Sequence, residues 1–237
     1  MSATGRGGIR LKDDFYQTPP WAFEWFEEDF RQIMVDYDIK EPLILEPGAG
    51  SGNLVRELRR VFPVLQAGSR SRIVAVEKRP ECEPMLSSAG ARHVVVGDFE
   101  GEETARTLVE IASPYRQSYS FDLVLGNPPY GGKKTKTNPH YGIWQRFVQR
   151  GLELLAPNGV LIFLLRLAVL ETKERNRWIR THMPDVYVLP KRPAFRGGSS
   201  TDSTAYAWMV WPKRDLPNAD SIREWGKAKV ITDPRVP

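Results

Sequence analysis

Five short apolar runs constrain this chain most. Leu43-Ile44-Leu45, Ile73-Val74-Ala75-Val76, Val94-Val95-Val96, Leu123-Val124-Leu125 and Val160-Leu161-Ile162-Phe163-Leu164 contain no polar residue. A strand with one wet face alternates apolar and polar side chains, whereas a strand apolar throughout is covered on both faces. Between the runs lie stretches with helical spacing, such as Leu54, Val55, Leu58 and Phe62, then Ile143, Phe147, Gly151 and Leu154. An earlier helix is expected near Pro19 and Pro20, with Thr18 as its cap and Phe26, Phe30, Ile33 and Met34 on one face. Two further runs, 186–189 and 205–210, flank a polar Gly/Ser loop and suit an antiparallel pair. The pattern predicts an α/β chain with a Rossmann-like, doubly wound, mostly parallel seven-stranded sheet and an antiparallel C-terminal strand pair. We divide it into a flexible arm over 1–14, one domain over 15–213 and a tail over 214–237.

Composition narrows the chemistry. The single cysteine, Cys82, excludes an intramolecular disulfide and a Cys-based zinc site. His93, His140 and His182 lack metal-ligand spacing, so no metal is expected. Arg166 closes the longest apolar stretch, which is too short to span a bilayer. With no apolar signal core at the N-terminus, a cytoplasmic protein is expected. The net charge of +5 is modest, and its placement says more. Lys133, Lys134 and Lys136 form one basic group and Lys191, Arg192 and Arg196 another, both in predicted loops, as phosphate contacts require.

The candidate site follows from what stands at the strand ends. Leu45-Glu46-Pro47-Gly48-Ala49-Gly50-Ser51-Gly52 leaves a strand and enters a helix, with glycines that let a ligand approach the backbone. Phosphate binding is one reading of such a turn. The acid two residues before its first glycine suits instead a cationic end, such as the amino group and sulfonium of S-adenosylmethionine. Glu77 ends the next strand, where a carboxylate can accept ribose hydroxyls. Asp98 ends the third and can accept from an adenine amino group, with Phe99 packing on the ring; a cap at Asp98 is the plain alternative. Asn127 ends the fourth. In doubly wound sheets these carboxyl ends face the ligand crevice.

Asn127-Pro128-Pro129-Tyr130 follows that fourth strand. Its prolines stiffen the backbone and remove two donors, leaving carbonyls free to accept. Asn127 offers a carbonyl oxygen and Tyr130 a flat face. Together they suit an amino group on a planar ring.

On these residues the chain resembles the class I S-adenosylmethionine-dependent amino-methyltransferases, and among them the small, phage-like N6-adenine DNA methyltransferases, over residues 13 to 211. The family's Asp/Asn/Ser-Pro-Pro-aromatic motif is matched by Asn127 to Tyr130. Its Phe-x-Gly-x-Gly turn is matched by Glu46-Pro47-Gly48-Ala49-Gly50, where an acid replaces the usual aromatic. Phe15-Tyr16-Gln17-Thr18-Pro19 matches an upstream motif that lines the methionine end of the cofactor. Lys191-Arg192-Pro193-Ala194-Phe195 looks like the late loop whose aromatic stacks on a flipped base, which would assign that role to Phe195, with packing beneath the loop as the alternative.

The resemblance implies in-line methyl transfer to adenine N6 in DNA. Asn127, Pro128, Pro129 and Tyr130 would be catalytic. Phe15, Tyr16, Thr18, Pro19, Glu46, Gly48, Gly50, Glu77, Asp98, Phe99 and Asn127 would hold S-adenosylmethionine. Tyr130, Phe195, Lys133, Lys134, Arg192 and Arg196 would hold nucleic acid. Larger relatives carry a recognition domain, for which the only candidates expected here are the Lys133 to Tyr141 loop, the Arg192 to Ser203 loop and the termini, so a short, loosely read target, a partner subunit, a homodimer or an RNA substrate also fits. Protein-glutamine methylation and a catalytically idle cofactor-binding module are the remaining alternatives.

Overall fold

The computed structural model describes residues 17–62, 72–115, 120–130, 142–171, 176–195, 201–215 and 226–231. Its strands are β1 Ile44–Pro47, β2 Ile73–Glu77, β3 His93–Val96, β4 Phe121–Gly126, β5 Leu155–Arg166, β6 Asp185–Val188, β7 Tyr206–Pro212 and β8 Ala228–Val230. Its helices are α1 Pro20–Glu24, α2 Glu27–Asp36, α3 Asn53–Val61, α4 Glu83–Ala89, α5 Glu102–Ala112, α6 Ile143–Leu154 and α7 Asn176–Thr181. The strands form one sheet in the order β3-β2-β1-β4-β5-β7-β6-β8. Strands β1 to β5 pair in parallel, and β7 runs antiparallel between β5 and β6.

Successive residues of the apolar strands feed two separate cores. Ile44, Ala75, Leu123, Leu125 and Ile162 face α1, α2, α3 and α4, whereas Leu45, Val74, Val124, Leu161 and Phe163 face α5, α6 and α7. Side chains alternate across a strand, so burial on both faces is what turned these segments into unbroken apolar runs. The first core is rich in aromatics. Trp208 of β7 stacks on Phe26 at 5.3 Å, meets Phe23 edge-on at 6.0 Å, and donates from its indole nitrogen to the Ala22 carbonyl at 2.8 Å.

Two expectations are corrected. The sheet has eight strands among the described residues, because Ala228–Val230 adds to β6 in the segment read as a tail. All three residues of β8 are exposed, so no apolar pattern announces it. It is held by backbone bonds from Val186 N to Lys227 O and from Ile231 N to Val188 O, and by the buried Ile231. Secondly, Thr18 does not cap α1. Pro19 takes the N-cap place with no side-chain bond, and the Thr18 hydroxyl is engaged elsewhere. Among the described residues no helix is long and apolar enough to cross a membrane.

The aromatic anchor generates a test. Trp208→Ala should lower the unfolding free energy by about 3–5 kcal/mol, as for other fully buried large aromatics. Trp208→Phe should cost clearly less. Chemical denaturation of the two variants checks the order.

Candidate functional site

The strand order reverses between β1 and β4, which lie side by side with chain connections leaving in opposite directions. Such a reversal opens a crevice at the carboxyl ends of the two strands. Here it brings the glycine turn after β1 against the Asn127 loop after β4. The approach is close: a Cβ on Gly126 would stand 3.1 Å from the Pro47 carbonyl oxygen.

Glu46, in β1, is 2% exposed, and its Oε2 has no hydrogen-bond partner. Burial pushes this carboxyl well above its ordinary pKa and the nearby Glu77 adds to the rise, against a smaller opposing pull from Arg56. A buried carboxylate oxygen without a donor is costly unless something cationic or protic reaches it. The turn that follows is held by Gly48 and Ala49, whose amides donate to the Val76 carbonyl at 2.8 and 3.0 Å. Gly48, Gly50 and Gly52 all have positive φ, a region open to glycine at little cost.

Glu77 stands at the tip of β2, also buried. Its Oε2 accepts from the Gly50 amide at 2.9 Å, and its Oε1 accepts from the Arg79 amide and side chain at 3.1 and 2.8 Å. Burial opposes its charge, but the Arg79 guanidinium and the Gly50 amide outweigh that and hold the carboxyl below its usual value. The two neighbouring acids are therefore driven apart, Glu77 towards the carboxylate and Glu46 towards the neutral acid. Glu77 also braces the glycine turn, a role its place in the sequence does not disclose.

Asp98 is exposed beyond β3 and accepts from the Glu100 amide at 2.9 Å, closing a short turn; α5 begins later, with Gly101 as its cap. Phe99 is buried against Phe147, ring centroids 4.9 Å apart.

The Asn127 side chain is gripped at both ends. Its Nδ2 donates to Thr18 Oγ1 at 3.0 Å, and its Oδ1 accepts from the Tyr130 hydroxyl. The Tyr130 hydroxyl also points at the Leu164 carbonyl of β5, 2.8 Å away. Burial pushes the Tyr130 phenol well above its ordinary pKa, so it stays protonated and can donate. Thr18 is 4% exposed, and its carbonyl accepts from Asn53 Nδ2 at 2.9 Å, which links the segment before α1 to the start of α3.

A polar cluster that the sequence did not single out backs Tyr130. Arg166, at the end of β5, places its guanidinium carbon 5.1 Å from the Tyr130 ring centroid. It donates to the Tyr206 hydroxyl at 2.9 Å and to Asp202 at 3.1 Å, while Tyr206 itself donates to Asp202 at 2.7 Å. The one legible signal was a charge ending an apolar strand. Phe195 is 8% exposed and meets Tyr206 edge-on at 4.9 Å, so its ring packs beneath the late loop. Lys191 lies 5.5 Å over the Trp21 ring, and Arg192 is exposed. Phe15, Tyr16, Lys133, Lys134 and Arg196 fall outside the described residues.

The Asp202 carboxyl generates a pH test. Burial works against its charge, but bonds from Tyr206 and Arg166 outweigh it and hold its pKa below the usual value. Its contribution to stability is therefore present above the ordinary carboxylate range and is lost as the pH falls through the depressed folded value. Asp202→Asn should melt below the wild type near neutral pH, with the gap closing on acidification. An unchanged gap across thermal melts in that range counts against it.

Comparison with known proteins accords with this geometry. Residues 90–185 match the family model of the Eco57I restriction-modification methylase. The type II methyltransferase M.CvrRI of Paramecium bursaria Chlorella virus XZ-6E is 26% identical over 159 residues, covering 62% of this chain and 36% of that protein. The chain thus spans about a third of the length of that relative. Among solved structures, a Listeria monocytogenes protein assigned to the class I S-adenosylmethionine-dependent methyltransferases superposes with a TM-score of 0.60 at 15% identity, over 96% of this chain and 70% of that one. The DrdV–DNA complex gives 0.64 at 13% identity, over 85% of this chain and 27% of that one. The chain therefore has the class I methyltransferase fold, and its residues 90–185 are similar to the Eco57I restriction-modification methylases.

Proposed function

We propose that this chain transfers a methyl group from S-adenosylmethionine to the exocyclic N6 of adenine in DNA. The observation that carries the reading is a pair of polar groups on the two adjacent strands where the order reverses. On β1 stands a buried acid with an unpartnered oxygen, Glu46; after β4 stands a carbonyl held in a fixed direction, Asn127 Oδ1. The first suits a cationic ligand, the second an amino group.

S-adenosylmethionine supplies an electrophilic methyl group on a sulfonium. Glu46, the backbone of Gly48 and Gly50, and Glu77 would hold it, with Glu46 drawn to its ionised form by the positive charge. Asn127 Oδ1 and the Pro128 carbonyl would accept from the hydrogens of the target amino group. Two such bonds favour a tetrahedral nitrogen whose lone pair is freed from the ring. With the nitrogen so held by Asn127 and the Pro128 carbonyl, the bound cofactor would supply its methyl group in line, and the nitrogen would then give up a proton to water. Fixed position and preorganised acceptors would supply most of the rate.

A duplex target must be turned out of its stack to reach this crevice. Tyr130 would face the extruded base, with Arg192, Lys191 and the basic residues Lys133, Lys134 and Arg196 along the backbone. Phe195, packed on Tyr206, would need to turn out from beneath the loop to contribute a second ring. We assign reading of the target sequence to a partner subunit or a second copy of the chain.

The direct test incubates the protein with radiolabelled S-adenosylmethionine and, in parallel, duplex DNA, structured RNA and a protein extract, then digests and identifies the product. N6-methyladenine in the DNA arm is expected; label confined to RNA or to protein would sink the proposal. Asn127→Ala should lose about 100- to 1,000-fold in transfer rate, the scale for removing one preorganised hydrogen-bonding group, with a far smaller loss of cofactor affinity. Glu46 makes a separate prediction. Because binding should ionise a carboxyl that is protonated more readily than usual, formation of the complex should release a proton near and below that raised pKa. Calorimetric titration in buffers of different ionisation heat reads the release, and Glu46→Gln should abolish it while weakening the affinity.

A further inference from the structure

We propose that Thr18 is a positioning residue for Asn127, setting the direction of its amide rather than serving only the cofactor. This rests on the reading of Asn127 given above. An Asn side chain has nearly the same shape when its oxygen and nitrogen exchange places, so shape alone cannot hold one orientation. In the exchanged orientation a donor would face the donors of an incoming amino group.

Thr18 is suited to hold the amide in place. Its Oγ1 accepts from Asn127 Nδ2 at 3.0 Å, and at 4% exposure little water competes for the bond. Its own place is fixed through its carbonyl by Asn53 Nδ2, 2.9 Å away at the start of α3, and by Pro19, which leads directly into α1. The second grip is the Tyr130 hydroxyl on Asn127 Oδ1. The residues joined lie 109 positions apart, and Asn53 Nδ2 joins Thr18 to the helix that follows the glycine turn. The turn and the Asn127 loop are thereby held to each other through Thr18.

The test uses Thr18→Val, which keeps the shape and removes the accepting oxygen, beside Thr18→Ser, which keeps the oxygen. Thr18→Val is expected to lower kcat on the methylated substrate by about 10- to 100-fold, the scale for a small misplacement of a reacting group. Its Kd for S-adenosylmethionine by calorimetry should change far less than kcat, its melting temperature should fall only by the few degrees that one lost hydrogen bond costs, and Thr18→Ser should recover most of the rate. A Thr18→Val enzyme at full kcat overturns the proposal, and so does a loss of kcat matched by an equal loss of cofactor affinity. Should the wild type methylate no nucleic acid, the functional reading falls, but the positioning role is still decided. In that case nitrogen-15 spectra of the Asn127 side-chain amide, assigned by its disappearance in Asn127→Asp, supply the readout. Slow hydrogen exchange in the wild type that becomes fast in Thr18→Val supports the role; equal exchange in both overturns it.

Discussion

Among the described residues, the polar groups of the candidate site stand at or near the strand tips because the central strands β1, β2 and β4 are dry on both faces. Ile44, Leu45, Val74, Ala75, Val124 and Leu125 leave no place for a ligand inside the sheet. The cost of burying unpaired polar groups enforces the separation. Glu46 is a buried acid within β1 that is left with one unpartnered oxygen, and it lies at the strand whose neighbour reverses the order. A strained position of this kind is the usual mark of a site shaped for something that arrives later.

A chain of side-chain bonds crosses that reversal. Arg56 donates to Asn53, Asn53 to the Thr18 carbonyl and Asn127 to the Thr18 hydroxyl, while the single Tyr130 O–H lies within bonding reach of both Asn127 Oδ1 and the Leu164 carbonyl. It begins beside the glycine turn and ends on β5, so the two loops cannot shift independently without breaking buried bonds. Buried networks of this kind rigidify when satisfied and are costly when cut. Arg166, Tyr206 and Asp202 brace the far side of Tyr130, adding a face-on cation to its ring. The Asn127 side chain is thus held from both ends.

The two acids near the turn illustrate how position outweighs residue type. Glu46 and Glu77 are both almost fully buried, yet one is pushed up and the other held down. Arg79 and the Gly50 amide account for the difference, since they reach Glu77 and not the free oxygen of Glu46. The acid that is paired braces the turn, and the acid that is not remains open to a cation.

Much of this was legible in the residues themselves. Four of the five unbroken apolar runs specified parallel strands buried on both sides; the fifth, Val94 to Val96, lies in the edge strand β3, where Val96 is exposed. The glycine turn and Asn127 to Tyr130 stood out because tight backbone and paired prolines are rarely neutral at strand ends. The eighth strand was not legible: Ala228–Val230 is exposed throughout and held by backbone bonds that any residue can make. Nor was the true partner of Thr18, whose hydroxyl looked like a helix cap until the fold brought Asn127 beside it. Local chemistry is written in neighbouring residues, and so the strands, the turn and the loop could be read from sequence alone. Which of Glu46 and Glu77 is paired, that Arg166 backs Tyr130, and that Thr18 grips Asn127 across 109 residues were decided only by the tertiary structure, because each depends on groups that packing, and not the chain, makes neighbours.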